Sequence, residues 1–108
     1  MPSPNLRTCV RVAHVADLPQ STATGITVLD VRTPDEFSCG HIPGAVNMPI
    51  DTLRDHLDDL DRNNPIIAYC QVGQRGYLAT CILTQAGHNA ANLSGGYMTY
   101  CQVRNTTA

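Results

Sequence analysis

The chain has 108 residues, 43% hydrophobic and 15% charged, enough for one compact domain and too few for two ordinary ones. Its net charge of −2 comes from nine scattered acids and seven arginines, with no lysine, no Trp and one Phe. That composition supplies neither a basic stripe nor an aromatic platform, so no nucleic acid partner is expected.

The opening residues lack the apolar stretch of a secretion signal, and no run approaches the roughly 18 apolar residues that cross a bilayer. The expectation is a domain with no membrane partner. Cysteines stand at 9, 39, 70, 81 and 101, an odd set with no CxxC pair and no zinc-like spacing. This argues against a disulfide framework or a metal centre and for a reducing, cytoplasmic location. Cys39-Gly40-His41 is the nearest approach to a ligand pair and reads as loop.

Taken in chain order, residues 1–9 read as a linker, 10–103 as the domain and 104–108 as a frayed end. Residues 10–15 suggest a first strand and 27–31 a buried one, Thr-Val-Leu-Asp-Val. Thr33-Pro34-Asp35-Glu36 then sets a capping Thr, a Pro at the first helical position and a Glu three residues after the cap, which is a capping box. Residues 45–47 suggest a short strand. A helix over 52–60, behind Asp51, would carry Leu53, Leu57 and Leu60 as its apolar stripe.

Residues 65–69, Pro-Ile-Ile-Ala-Tyr, predict another buried strand, followed by a helix over 75–86. In that helix Leu78, Ile82 and Ala86 form the apolar stripe, and Gly87 ends it as a left-handed cap. Residues 90–93 give the last strand, Gly95-Gly96 marks a tight backbone approach, and 97–103 gives a short closing helix. The alternation predicts an α/β domain, a mainly parallel sheet of about five short strands with helices on both faces.

The chemistry concentrates at Cys70, which the pattern places at the carboxyl end of a strand, where open α/β sheets set their ligand sites. Gly73 and Gly76 follow it and can take backbone angles closed to other residues. Successive amides of Gln71, Val72, Gly73, Gln74, Arg75 and Gly76 are therefore candidates to turn inward as an anion nest. An ordinary thiol, with a pKa of about 8.5, is only a few per cent thiolate at neutral pH, so an anionic sulfur needs such donors. A helix dipole contributes only about 0.3–1 kcal/mol, which leaves most of the work to backbone amides and to Arg75. Arg75 is also a candidate fork for an anionic donor.

This loop resembles the active-site loop of the rhodanese family. The resemblance extends to Leu29-Asp30-Val31-Arg32-Thr33-Pro34-Asp35-Glu36-Phe37, to Gly40-His41-Ile42-Pro43-Gly44-Ala45-Val46-Asn47 and to Leu93-Ser94-Gly95-Gly96-Tyr97, in the family's order. Tyr69-Cys70-Gln71-Val72-Gly73, Arg75-Gly76-Tyr77 and the ending Gly95-Gly96-Tyr97-Met98-Thr99-Tyr100 look like the rhodanese domain at the carboxyl end of flavin-dependent coenzyme A disulfide and persulfide reductases.

The resemblance implies a rhodanese-like fold and a sulfur relay through a Cys70 persulfide. The loop from Gln71 to Gly76 would bind a small anionic sulfur donor, thiosulfate or a low-molecular-weight persulfide, and a thiol or cyanide would accept the sulfur. No cofactor and no metal are implied for the domain itself. A flavin-dependent disulfide reductase module in the same natural chain would be its partner.

Other charged residues near the strand ends read as support: Glu36 in the capping box, Arg32 paired with a carboxylate, and Asp30 satisfying loop amides. His41 reads as a turn residue and Cys81 as helix packing, while Cys9, Cys39 or Cys101 is a candidate resolving thiol. Two alternatives stand beside the relay. One is a non-catalytic interaction module that has kept the loop. The other is a cysteine-loop phosphatase or arsenate reductase, which the four residues between Cys70 and Arg75 disfavour because those cradles are one residue longer.

Overall fold

The computed structural model describes residues 11–18 and 25–107. Cys9 and the linker expected over 1–9 lie outside the described residues. Five strands, β1 (Arg11–Ala13), β2 (Thr27–Asp30), β3 (Val46–Asn47), β4 (Ile66–Tyr69) and β5 (Ala90–Leu93), form one sheet in the order β1-β5-β4-β2-β3. Every pairing is parallel, with β4 at the centre flanked by β2 and β5.

The central strand explains the two-sided core, because successive side chains of a strand point to opposite faces. Ile66 and Ala68 of β4 pack on one face, and Cys70 follows them in phase. This layer contains Leu29, Val31, Leu53, Ala79 and Leu83. Ile67 and Tyr69 pack on the other face, with Val28, Ile42 and Leu93, against Tyr97 and Tyr100. Cys70 thus enters the site as the last residue of a buried stripe.

Among the described residues three α-helices surround the sheet: α1 (Pro34–Cys39), α2 (Gln74–Gln85) and α3 (Gly96–Thr107). Helix α1 starts with the expected capping box, with Thr33 Oγ1 accepting from the Glu36 amide at 3.2 Å and Glu36 accepting from the Thr33 amide at 3.0 Å. Helix α3 runs past the expected 97–103 to Thr107.

Two expectations need correction. The segment expected as an α-helix over 52–60 is a 3₁₀ helix, Ile50–Asp59. It opens and closes on bonds between residues three apart, the Thr52 amide to the Pro49 carbonyl at 3.1 Å and the Leu60 amide to the Leu57 carbonyl at 3.2 Å, the tighter winding of a 3₁₀ helix. Leu53 is buried, while Ile50, Leu57 and Leu60 pack more loosely against the same layer.

In α2 the buried face is Gly76, Ala79, Thr80, Ile82 and Leu83, whereas Leu78 is 53% exposed. The small residues let the helix lie close to the sheet. A Cβ at Gly76 would collide with Asn92 Oδ1 and stand 3.4 Å from the Cys70 amide nitrogen. That contact fixes the rotation of α2, and two residues further on the chain has turned about 200°, so Leu78 faces outward.

Candidate active site around Cys70

The centre is built at the carboxyl edge of the sheet, where β4 ends and α2 begins. Cys70 is 1% exposed, and its Sγ accepts the amide hydrogen of Gly73 at 3.0 Å. Gly73 makes this possible with φ of 118°, in the left-handed region that favours glycine, and it is the N-cap of α2. Its carbonyl is held twice, by the Tyr77 amide at 2.9 Å and by Asn92 Nδ2 at 3.2 Å. The amide facing the sulfur therefore belongs to a residue whose carbonyl is fixed by two bonds.

The start of α3 supports the loop from the other side. The Tyr97 amide donates to the Cys70 carbonyl at 2.8 Å and the Met98 amide to the Gln71 carbonyl at 3.0 Å. Two unsatisfied donors of a helix N-terminus are thereby used as struts for the cysteine loop. Gly96 allows the approach: a Cβ there would strike the Cys70 carbonyl oxygen and lie 2.8 Å from the Gln71 carbonyl. This is the close backbone contact expected from Gly95-Gly96.

Two guanidinium groups border the loop. Arg32 is buried and donates from Nη2 to Asp30 Oδ2 at 2.7 Å and from Nε to Asp30 Oδ1 at 3.0 Å. Nη2 also reaches the Gly40 carbonyl at 2.7 Å, and Nη1 reaches Gln71 Oε1 at 3.2 Å. Its guanidinium carbon lies 4.5 Å from the centre of the Tyr97 ring, a cation–π arrangement. Burial pulls the basicity of Arg32 down, but the bonds and charge of Asp30 more than offset it and raise it overall.

Arg75 forms a forked pair with Glu36, at 2.7 Å to Oε1 and 3.0 Å to Oε2. This pair holds the Glu36 carboxyl well below its usual range, at about 2, first through the Arg75 hydrogen bond and then through the Thr33 amide. The same pair raises the basicity of Arg75, and the nearby Cys70 sulfur adds to the effect. Arg75 thus stands beside the sulfur with its fork engaged by Glu36.

The remaining expected residues are distributed around this frame. Gln71 is half-buried and tied to Arg32, Val72 and Gln74 are exposed, and Gly76 is buried beneath the loop. Asp30 satisfies the Arg32 amide at 2.9 Å as well as its guanidinium. His41 stacks on Phe37, with ring centres 3.7 Å apart, and Nδ1 pairs with the Phe37 carbonyl, a turn role. Cys39, Cys70, Cys81 and Cys101 are free thiols.

Asn92 was not anticipated as a site residue. Its signal is a lone amide within the buried run Ala90-Ala91-Asn92-Leu93, which marks a polar group committed to a specific partner. Two open clefts flank the loop. One, of about 480 Å³, lies alongside Val72, Gly73 and Tyr77; the other, of about 360 Å³, alongside Gln71, Arg32 and Cys39. Among the described residues no helix is long and apolar enough to cross a membrane.

A model of the rhodanese-like domain matches residues 14–102. A sulfurtransferase of Allochromatium vinosum is 30% identical over 78 residues, covering 71% of this chain and 73% of that protein. The HTH-type transcriptional regulator Rv0324 of Mycobacterium tuberculosis is 48% identical over 46 residues, 43% of this chain and 20% of the regulator.

Among solved structures, reduced CoADR-RHD of Bacillus anthracis superposes with a TM-score of 0.84 at 32% identity, over 93% of this chain and 18% of that one. An NAD-dependent persulfide reductase from A. fulgidus superposes with a TM-score of 0.67 at 31% identity, over 85% of this chain and 16% of that one. The chain therefore spans less than a fifth of either reductase-type structure.

Proposed function

Because the chain belongs to the rhodanese-like domain family, we propose that it is a sulfurtransferase that carries a sulfane sulfur on Cys70 as a persulfide. The observation that carries this reading is the Gly73 amide donating to Cys70 Sγ at 3.0 Å from a residue whose own carbonyl is bonded twice, with the Arg75 charge beside it. An anionic sulfur is stabilised by such fixed donors, and a terminal persulfide anion is the same kind of acceptor one atom further out.

In the first half-reaction the Cys70 thiolate attacks the sulfane sulfur of a donor. With thiosulfate, Cys70–S⁻ and S–SO₃²⁻ give Cys70–S–S⁻ and SO₃²⁻. The new S–S bond forms as the old one breaks, and sulfite leaves with its electron pair. In the second half a thiolate or cyanide attacks the terminal sulfur and Cys70 departs as thiolate; with cyanide the product is thiocyanate. Charge and atoms balance in both steps, and no group of the protein need exchange a proton.

Arg32, Asp30 and Glu36 act on the loop at second hand, Arg32 by holding Gln71 and Glu36 by holding Arg75. A cytoplasmic setting belongs to the same reading, supported by an odd set of five cysteines with no CxxC pair. A reductase module as partner in the natural chain is supported by the likeness to part of a persulfide reductase.

The test is intact mass after incubation with thiosulfate or glutathione persulfide, for the wild-type chain and Cys70→Ser. The expected result is a gain of one sulfur mass that dithiothreitol removes and that the variant does not show. Gain in the variant, or no gain in the wild type, overturns the proposal.

A further inference from the structure

Resting on that reading, we infer that the sulfur carrier this site selects is a persulfide whose organic chain is uncharged and lies in the cleft walled by Val12, Val72 and Tyr77, and not the thiosulfate dianion.

The first ground is charge. Two guanidiniums stand at the loop, Arg32 and Arg75, and each is paired with its own carboxylate, Asp30 and Glu36. The pairs cancel before the sulfur is counted, so a Cys70 thiolate leaves the centre with a net negative charge. Further negative charge is repelled at such a site, most strongly where the surroundings are desolvated. Among its described residues the smaller cleft adds Asp35 to this balance and brings no additional cation. A dianion at this loop therefore meets backbone amides only, and among the described residues lining the loop and its two clefts each guanidinium already has a carboxylate partner.

The second ground is the larger cleft, which opens beside Gly73, the residue whose amide faces the sulfur. None of the described residues lining it is charged. Val12 is 59% exposed, Val72 53% and Tyr77 44%, an unusual amount of bare apolar surface around one opening. Gln74 and Ser94 stand among them as uncharged hydrogen-bonding groups. Apolar walls with a few neutral polar groups suit a carbon chain with amide or hydroxyl functions. The covalent step is the balanced one above: Cys70–S⁻ and R–S–SH give Cys70–S–SH and R–S⁻, the terminal sulfur keeping its proton.

The experiment is single-turnover loading of Cys70, followed by intact mass, from N-acetylcysteamine persulfide and from thiosulfate. Wild type should load faster from the persulfide. Tyr77→Ala should slow that loading about tenfold, the order expected for lost apolar contact in a pocket, and leave thiosulfate within about twofold. Val72→Arg, which brings a cation to the cleft, should speed thiosulfate loading about tenfold through local attraction. Both side chains are exposed, so both variants keep the fold.

Faster loading of wild type from thiosulfate, or unchanged donor ratios in both variants, overturns the inference while sulfur transfer stands. Loading from neither donor, or loading that survives Cys70→Ser, overturns the transfer reading and the inference with it.

Discussion

Gly96 and Cys70, far apart in the chain, meet backbone to backbone, with no room between them for a single additional carbon. Gly96 also has φ of 62°, in the region that other residues adopt only with strain. Gly96→Ala should therefore lose about 2 kcal/mol or more of stability, from strain and overpacking together. Because the collision is with the cysteine's own carbonyl, the variant that remains folded should load sulfur more slowly. Denaturant unfolding with single-turnover mass measurement checks both effects.

Asp30→Asn should destabilise the domain strongly. The substitution leaves the Arg32 guanidinium buried without its carboxylate, a change that typically costs about 3–5 kcal/mol. The double substitution Asp30→Asn with Arg32→Met should recover part of that loss, because no buried charge then remains. A double-mutant cycle read by denaturant unfolding shows whether the two changes couple.

Acid should loosen the connection between α1 and α2. The Glu36 carboxyl is lowered from 4.5 to about 2 in the folded chain. Its contribution is therefore fully present above the unfolded value and is lost as pH falls toward the folded one. Thermal unfolding of wild type and Glu36→Gln should differ at neutral pH, converge as pH falls below the usual glutamate range and coincide near the folded value. A constant difference across that window would mean that the carboxylate charge does not stabilise the fold.

His88→Leu should raise the melting temperature. His88 is buried, and neither ring nitrogen has a hydrogen-bond partner among the described residues. Burying unpaired polar atoms costs about 1–3 kcal/mol, and an apolar side chain of similar size removes that cost. Thermal unfolding at neutral pH measures it, and a fall in melting temperature would reveal a partner on the ring.

The parts of this structure written in local sequence were legible before the fold was known. The strands were visible as short β-branched runs, the start of α1 as Thr33 followed by Glu36, and the site as Cys70 between a strand and Gly73. What local reading misses are partners chosen by the fold. Glu36 fills its capping role and also grips Arg75, 39 residues away. Asn92 is an ordinary polar residue until β5 is set beside β4. Leu78 reads as core from its helical spacing with Ile82 and Ala86, yet rotation of α2 is decided by Gly76, which has no side chain to pack.

The α3 amides that bond the carbonyls of Cys70 and Gln71 also set an order of events during synthesis. Strand β4 and its cysteine leave the ribosome well before the helix that braces them, and chains emerge from their N-terminal side. Until α3 docks, the loop carbonyls have no support from that side and Gly73 is free to point elsewhere. A chain that has not yet made α3 thus carries an unbraced cysteine loop, and the geometry around Cys70 is completed by the last described helix of the domain.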